Sequence, residues 1–301
     1  MNSNPLVSVR VLTYNSGEYI LETLESIKAQ TYSNIELIVS DDCSTDDTVQ
    51  KIQSWIDENA TRFVGVTFLI SEKNTGVSAN YNRSLKPCKG EWIKGIAGDD
   101  LMLPNCIEDN VNYVLAHPDA LVVFSDMQIF FNNSNRIISY SPASTSPGFF
   151  DCSAEDQYQR LLKKENISLN PCSKFVNAEF VKSRQVDERV KFLEDMQFTW
   201  DCTSSGIKLH YFNKCTVKYR KHEGALTGRS KDRLVSISYI DSWISFYYLT
   251  RKPAFEKFGI DNSHYEKKIL RYLAIKHILK NKANFFTRFL DFLICRLFHL
   301  S

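Results

Sequence analysis

The chain has 301 residues, more than the roughly 100 to 200 of one typical domain, and this length predicts a main domain with an appendage. Hydrophobic residues make up 43% and aromatic residues 13%, which excludes a disordered or fibrous protein. A net charge of +2 is too close to neutral to indicate nucleic acid as a partner.

The eight cysteines are scattered and form no CxxC pair, so the sequence predicts buried free thiols and no zinc site. Residues 1–5 lead directly into a strand-like run, without the basic and apolar segments of a signal peptide. Both features predict a reducing, cytoplasmic location.

Strands and helices alternate over the first 125 residues. Residues 7–13 (VSVRVLT) form a β-branched and nearly continuous apolar run, which is typical of a strand buried on both faces. The alternation then predicts helices over residues 18–30, 45–59, 77–85 and 105–117, and strands over residues 35–40, 65–71, 92–97 and 120–125. This order indicates βαβ units and a mostly parallel, doubly wound α/β sheet.

The alternation ends near residue 126. Residues 131–151, rich in Ser, Asn and Pro, are predicted to be loop or weak strand. Helices are expected over residues 154–164, 177–184 and 194–204, a strand over residues 208–219, and mostly helix beyond residue 230. We therefore expect one domain over residues 1–228, with halves 1–126 and 127–228, and a helical C-terminal region over residues 229–301.

Polar side chains follow three of the predicted strands, at the sheet edge where ligands bind in open α/β folds. They are Thr13, Tyr14 and Asn15 after the first strand, Asp41 and Asp42 after the second, and Asp99 and Asp100 after the fourth. Crowded carboxylates repel each other unless a cation or a ligand lies among them. Hard oxygen ligands favour Mg²⁺ or Mn²⁺, which would neutralise charge on a departing diphosphate. The alternative is that these acids are solvated turn and capping residues.

Six segments, in chain order, carry a resemblance to a known family. They are VSVRVLTYNSGEYI, ESIKAQTYSNIELIVSDDCSTDDT, EKNTGVSANYNRSL, GEWIKGIAGDDLMLP, FLEDMQF and YRKHEGALTG. Together, over roughly residues 6–225, they resemble the family 2 glycosyltransferases, which are inverting enzymes with a GT-A type fold. The resemblance implies a metal-dependent transfer of a hexose or N-acetylhexosamine from a UDP-sugar, as in the synthesis of O-antigen or capsule polysaccharide.

The resemblance also assigns roles on the nucleotide side, in residues 1–126. Thr13, Tyr14 and Asn15 would line the nucleotide pocket, with Tyr14 against the base. Asp42 would accept a hydrogen bond from the uracil N–H, and Asp99 would lie near the ribose or the donor sugar.

For the metal and the acceptor, the resemblance points to three further residues. Asp100 would ligate Mn²⁺ or Mg²⁺, and His222 in the closing loop would reach the metal or the diphosphate. Asp195 matches the general base that removes the proton of the acceptor hydroxyl. The alternatives are that Glu194 and Asp195 supply first-turn charge to a helix, and that His222 is polar surface.

Two positions depart from the family pattern. Many members carry a further acid where this chain has Ala97, and an Arg where Asn80 and Tyr81 stand. Arg83 lies two positions beyond Tyr81, so the contacts to ribose and diphosphate stay unassigned. Trp200 is expected either to stack on an acceptor sugar or to lie in the core.

The C-terminal segment is basic. From Lys267 onward there are eight Lys or Arg and one acid, Asp291. Residues 285–301 place apolar side chains on one helical face, at Phe285, Phe289, Phe292, Leu293 and Leu297. The segment is too short and too charged to span a bilayer, and it predicts an interfacial helix attracted to anionic lipid. A helix packed on its own domain and a dimer contact are the alternatives.

The resemblance implies a glycan or undecaprenyl-diphosphate-linked acceptor at the inner face of the cell membrane. One rival, a nucleotidyltransferase, needs a Gly-rich phosphate loop after the first strand, which TYNSGEY does not supply. A dinucleotide-binding oxidoreductase is disfavoured because no GxGxxG occurs. A non-catalytic partner subunit would bind UDP without turnover, and the presence of Asp42, Asp100 and Asp195 together argues against it.

Overall fold

A computed structural model describes residues 4–132, 134–163, 167, 169–222, 236–280 and 284–298. The contacts divide the chain into two units, each assembled from two segments. The first unit contains residues 1–186 and 198–221, and the second contains residues 187–197 and 222–301.

The first unit contains the sheet and the helices that cover it. Its strands are β1 (Val7–Thr13), β2 (Ile35–Asp41), β3 (Gly65–Ile70), β4 (Trp92–Ala97), β5 (Leu101–Met102), β6 (Val122–Phe131), β7 (Ser134–Tyr140), β8 (Phe175–Asn177) and β9 (Leu209–Lys221). Its helices are α1 (Ile20–Lys28), α2 (Thr48–Asn59), α3 (Val77–Leu85), α4 (Cys106–Ala116), α5 (Pro142–Thr145), α6 (Ala154–Leu162), α7 (Ala178–Lys182) and most of α8 (Glu194–Ser204).

The sheet is mixed and runs in the order β3-β2-β1-β4-β8-β6-β9-β5, with β7 paired to β6. Strands β1 to β4 pair in parallel, and β8 runs antiparallel between β4 and β6. The parallel register places Thr13 beside Asp41 and Leu12 beside Ala97. The carboxyl ends of β1, β2 and β4 therefore share one edge, as the βαβ order predicts.

Burial on both faces explains the apolar runs of the parallel strands. Val7, Val9 and Val11 of β1 lie in one core cluster with residues of α1, α2 and α4. The opposite face of the sheet packs against α3, α7 and α8 in a second cluster. Each fully buried Val contributes roughly 1.5–3 kcal/mol, so two covered faces favour the continuous apolar pattern of β1 and β2.

The second half of the sheet differs from the sequence prediction in its short elements. Residues 131–151 include a seven-residue strand, β7, and the strand predicted to end at residue 125 continues to Phe131. Strands β5 and β8 occur where no strand was predicted. Strand β5 pairs with β9, β7 pairs with β6, and β8 pairs with β4 and β6, all antiparallel. These short strands depend on their partners, so the local sequence pattern does not predict them.

The second unit contains α9 (Ile237–Phe246), α10 (Lys252–Phe258), α11 (Ser263–Leu273) and α12 (Phe285–Phe298). Turns of π-helix, Tyr247–Arg251 and Ala274–Ile278, continue α9 and α11. Its buried side chains include Ile240, Phe246, Phe255 and Ile275. The predicted helical C-terminal region is thus confirmed, and among the described residues no helix has both the length and the apolar composition to cross a bilayer.

Candidate active site

The end of β1 presents a buried hydroxyl at the shared edge of the sheet. Thr13 is buried, and its Oγ1 has no hydrogen-bond partner among the described residues. Gly98 follows β4 alongside it, and a Cβ at Gly98 would lie 2.9 Å from Thr13 Oγ1. Glycine therefore lets the chain after β4 pass close to this hydroxyl, and a buried polar group without a partner is a candidate for contact with a ligand.

The loop after β1 is bonded to the loop after β2. Asn15 adopts the left-handed conformation (φ 49°), which asparagine tolerates better than most residues. Its Oδ1 accepts a hydrogen bond from the Thr45 N–H (2.8 Å), and its own N–H donates to Ser44 Oγ (2.8 Å). Tyr14, between Thr13 and Asn15, is 47% exposed. Asn15 thus holds the two loops together and leaves the Tyr14 ring accessible.

Asp42 lies at this edge with a fully engaged carboxylate. Its Oδ2 accepts from the N–H groups of Thr75 (2.9 Å) and Gly76 (2.7 Å), and its Oδ1 accepts from Thr75 Oγ1 (2.6 Å) and Arg83 Nη2 (3.0 Å). A carboxylate offers about four acceptor positions. A uracil N–H would have to take the place of one of these donors.

Neighbouring acids of the same loop have structural roles. Asp41 accepts from both the N–H and the hydroxyl of Ser44, which closes a tight turn after β2. Asp46 accepts from the Gly17 N–H (3.0 Å) and the Thr48 N–H (3.0 Å) at the start of α2. Asp46 thus accepts the N–H of the first residue of α2, while Asp42 has a different environment.

Asp100 is a desolvated carboxyl beside a second acid. It is 1% exposed, and burial, together with the charge of Asp99, raises its pKa well above the usual range. The Arg220 N–H donates to Asp100 Oδ1 (2.9 Å) and opposes that shift. Thr23 Oγ1 donates to the Asp100 carbonyl (2.8 Å), which fixes the turn after β4 against α1.

Arg220, near the end of β9, organises the same turn. Its Nε donates to the Asp99 carbonyl (2.7 Å), its Nη1 to Asn132 Oδ1 (2.7 Å) and its Nη2 to Glu22 Oε2 (2.8 Å). Two rings also lie within 5 Å of its guanidinium carbon, those of Tyr19 and Phe130. Sequence reasoning missed this role, because Arg220 lies one residue beyond the predicted strand, next to Lys221, and its partners are distant in sequence.

The Asp99–Asp100 pair has the chemistry of a divalent-metal site. Its carboxylates are the hard ligands that Mn²⁺ and Mg²⁺ prefer, and a cation would relieve the cost of an ionised Asp100 beside Asp99. Within the described ranges, no three side chains of His, Cys, Asp and Glu come close enough together to form a metal site. His222 follows β9, is partly buried and belongs to the second unit.

Asp195 also belongs to the second unit, where it is the second residue of α8. It is partly buried, and its Oδ1 accepts a hydrogen bond from the Met196 N–H (2.8 Å). Glu194 precedes it in the same helical turn. A carboxylate at a helix N-terminus interacts favourably with the helix dipole.

The structure shows the environment of the residues that depart from the family pattern. Ala97 is exposed at the end of β4 and supplies no carboxylate. Asn80 donates to the Ser40 carbonyl (3.0 Å), and Arg83 donates to Asn80 Oδ1 (2.9 Å) as well as to Asp42. Trp200 is buried with its ring edge-on to Tyr158, which supports the core interpretation.

The fold is of the GT-A glycosyltransferase type, and sequence comparison identifies the family. The Glycosyl transferase family 2 profile matches residues 8–175, more than half of the chain, so the chain belongs to that family and is a glycosyltransferase. The family prediction and the GT-A fold prediction are both confirmed.

Individual relatives are similar over most of their length. The UDP-Glc:alpha-D-GlcNAc-diphosphoundecaprenol beta-1,3-glucosyltransferase WfaP of Escherichia coli is 27% identical over 78% of this chain and 85% of its own. The uncharacterized glycosyltransferase MJ1057 of Methanocaldococcus jannaschii is 26% identical over 77% of each chain.

Solved structures share the fold. TarS 1-349 of S. aureus, in complex with UDP-GlcNAc, superposes with a TM-score of 0.60 at 20% identity, over 89% of this chain and 72% of its own. The mannosyltransferase PcManGT of Pyrobaculum calidifontis, in complex with GDP-Man and Mn²⁺, gives a TM-score of 0.55 at 17% identity, over 90% and 70%.

Proposed function

We propose that this glycosyltransferase moves a hexose or N-acetylhexosamine from a UDP-sugar to a glycan or lipid-linked glycan in polysaccharide synthesis. The observation that carries the proposal is the common edge of β1, β2 and β4, which holds Thr13, Asp42 and the Asp99–Asp100 turn. The UDP-GlcNAc complex of TarS and the donor and acceptor named for WfaP support the same substrate class.

Residues 1–126 bind the nucleotide in this proposal. Thr13 Oγ1 offers a free donor and acceptor, the exposed Tyr14 ring offers a stacking surface for the base, and Asn15 holds their loop. Asp42 recognises the uracil N–H, with the Thr75 hydroxyl as the donor that gives way most easily because it can rotate. Asp99 lies next to the ribose or the donor sugar.

Mn²⁺ or Mg²⁺ would be held by Asp100, with Asp99 beside it and His222 as a further ligand. When bound, the ion supplies positive charge for the leaving diphosphate. The contribution of this chain is to hold the Asp99–Asp100 turn, which Arg220 does through its N–H to the Asp100 carboxylate and its guanidinium to the Asp99 carbonyl.

Residues 127–228 complete the catalytic domain on the acceptor side, and residues 229–301 form the helical region. Asp195 would remove the proton of the acceptor hydroxyl as that oxygen attacks the anomeric carbon. Direct displacement inverts the configuration there and needs one base on the face opposite the leaving diphosphate.

A donor screen tests this proposal. UDP release is measured with several UDP-sugars and a lipid-diphosphate-linked glycan, with Mn²⁺, with Mg²⁺ and with EDTA. We expect metal-dependent release that Asp195→Asn abolishes while UDP binding is retained. The absence of turnover with every donor, together with intact UDP binding, would instead support the non-catalytic partner subunit.

We further propose that α12 places the enzyme at the inner face of the cell membrane. Its outward face presents apolar side chains that are 42% to 74% exposed, at Phe286, Phe289, Phe292, Leu293 and Leu297. Arg288 and Arg296 are exposed within the same arc, while Thr287 is buried and Asp291 pairs with Arg271 of α11 (2.8 Å). An exposed apolar face with interspersed Arg fits an anionic bilayer surface.

Vesicle sedimentation tests the membrane proposal. We expect the full chain to sediment with phosphatidylglycerol vesicles and far less with phosphatidylcholine vesicles, and removal of residues after Lys282 to abolish sedimentation without loss of UDP binding. Phe289→Ser with Leu293→Ser should act like the truncation, whereas Val64→Ser, which removes an equally exposed apolar side chain of the first unit, should not. Unchanged sedimentation of the truncated protein contradicts the proposal.

A further inference from the structure

A strained residue directly precedes the acidic pair of α8. Leu193 has φ 76°, in the left-handed region, and its side chain is buried. A residue with a Cβ crowds its own carbonyl oxygen in this conformation, so the conformation persists only where the surroundings enforce it. The direction in which the chain enters Glu194 and Asp195 is therefore set by contacts on either side of Leu193.

One of these contacts comes from α9. The N–H of Phe192 donates to Ser242 Oγ (3.1 Å), and the Ser242 hydroxyl donates in turn to the Ser238 carbonyl one helical turn earlier (2.9 Å). Ser242 is 2% exposed. Because the second bond orients the hydroxyl, a lone pair of Oγ points to the Phe192 N–H and fixes the Lys191–Phe192 peptide, one residue before Leu193.

The other contacts come from α8 itself. The Gln197 N–H donates to the Leu193 carbonyl (3.0 Å), and Gln197 Oε1 accepts from the Asp187 N–H (2.8 Å). Gln197 Nε2 donates to the Val190 carbonyl (3.4 Å). These bonds fold residues 187–193 back onto the first turn of α8, and all of these residues belong to the second unit.

We infer that Ser242 is a positioning residue for Asp195. Its hydroxyl holds the Phe192 peptide, which keeps Leu193 left-handed and aims the first turn of α8. This inference rests on the proposed role of Asp195 as general base. Without the hydroxyl, the partly buried N–H of Phe192 loses its acceptor and Leu193 is able to relax, which moves the carboxylate. Small displacements of a catalytic group are costly because proton transfer requires hydrogen-bond distance.

The test compares Ser242→Ala with Ser238→Ala, a matched change at an exposed position of the same helix. At a temperature where both variants are folded by circular dichroism, we expect Ser242→Ala to lower kcat about 10- to 100-fold. The donor KM and the UDP affinity should stay within about 2-fold, because the nucleotide-side residues belong to the first unit. Ser238→Ala should match the wild type.

A double-mutant comparison separates positioning from general stability. In an Asp195→Asn background, Ser242→Ala should have no further effect on the residual rate, because the group that it positions is already absent. Ser242→Cys, close in size but a weaker acceptor, should give an intermediate kcat and serves if the alanine variant folds poorly.

Three results would overturn the inference: full kcat in Ser242→Ala, a raised donor KM with unchanged kcat, or an equal loss in the Asp195→Asn background. Failure of the proposed function looks different. In that case the wild type turns over no donor, or Asp195→Asn retains full activity.

Discussion

Replacement of Arg220 by Met should destabilise the first unit, because this side chain joins β9 to α1 and to the turn after β4. Methionine retains most of the length and the apolar contacts of arginine but donates no hydrogen bond. The Asp100 carboxylate still receives the backbone N–H of residue 220 in the variant. The substitution therefore removes the guanidinium contacts and leaves the strand pairing intact.

The expected loss follows from the individual contacts. Bonds from a charged donor to the Asp99 carbonyl and to Asn132 contribute about 1.5 kcal/mol each. The Glu22 pair adds about 0 to 1 kcal/mol, since that carboxylate is 57% exposed and screened by water. Contact with the Tyr19 and Phe130 rings adds roughly 0.5 to 1 kcal/mol. We expect a total loss of about 3.5 to 5 kcal/mol.

Urea unfolding followed by tryptophan fluorescence measures this loss, with Lys221→Met as the control, because Lys221 is the exposed next residue of β9. The control should change the free energy of unfolding by less than about 0.5 kcal/mol. Arg220→Lys should fall between the two, since lysine keeps the charge but not the planar fork. A loss below about 1 kcal/mol in Arg220→Met would refute the account of this network.

Three further predictions concern the strand ends and the pH dependence of stability. Gly98→Ala should lower UDP affinity by about 10-fold or more in calorimetry, because its Cβ would crowd the Thr13 hydroxyl; unchanged affinity argues against a donor site there. Asp42→Asn should lower the free energy of unfolding, measured by thermal unfolding, by about 2 kcal/mol, because the new amide group points a donor toward Arg83 or a backbone N–H. Full stability of this variant would show that these bonds are dispensable. Burial lowers the His210 pKa, so the unfolded chain binds its proton more readily and stability falls as pH drops through about 6.5; His210→Gln should lose less stability than the wild type between pH 7.5 and 5.5.

The parallel part of the fold was predictable from sequence because its signals are local. The strand β1, for example, is rich in β-branched apolar residues and is followed by a helical pattern, and its bounds match the prediction. The acids that follow β2 and β4 could be placed at one edge for the same reason, since parallel strands end on the same side.

The remaining features depend on contacts between strands or between distant residues. Strand β7 mixes polar residues with Ile137, Ile138 and Tyr140, and it owes its conformation to its pairing with β6, so its sequence alone does not predict a strand. Arg220 and Glu22 are nearly 200 positions apart in the sequence, so no local pattern predicts their contact. The same limit applies to Asp42, whose acceptor positions are filled by a loop and a helix that follow later in the chain.

The discontinuous second unit has a consequence for synthesis of the protein. Residues 187–197 leave the ribosome well before residues 222–301, yet both segments belong to this unit. The first unit can close once residue 221 has emerged, whereas the peptide before Asp195 gains its Ser242 acceptor only after α9 has been made. A chain released early would thus retain the residues proposed to bind UDP but lack the support of the proposed base. Under the proposed mechanism, such a fragment would sequester nucleotide-sugar without transferring it, and transfer would begin only with the completed polypeptide.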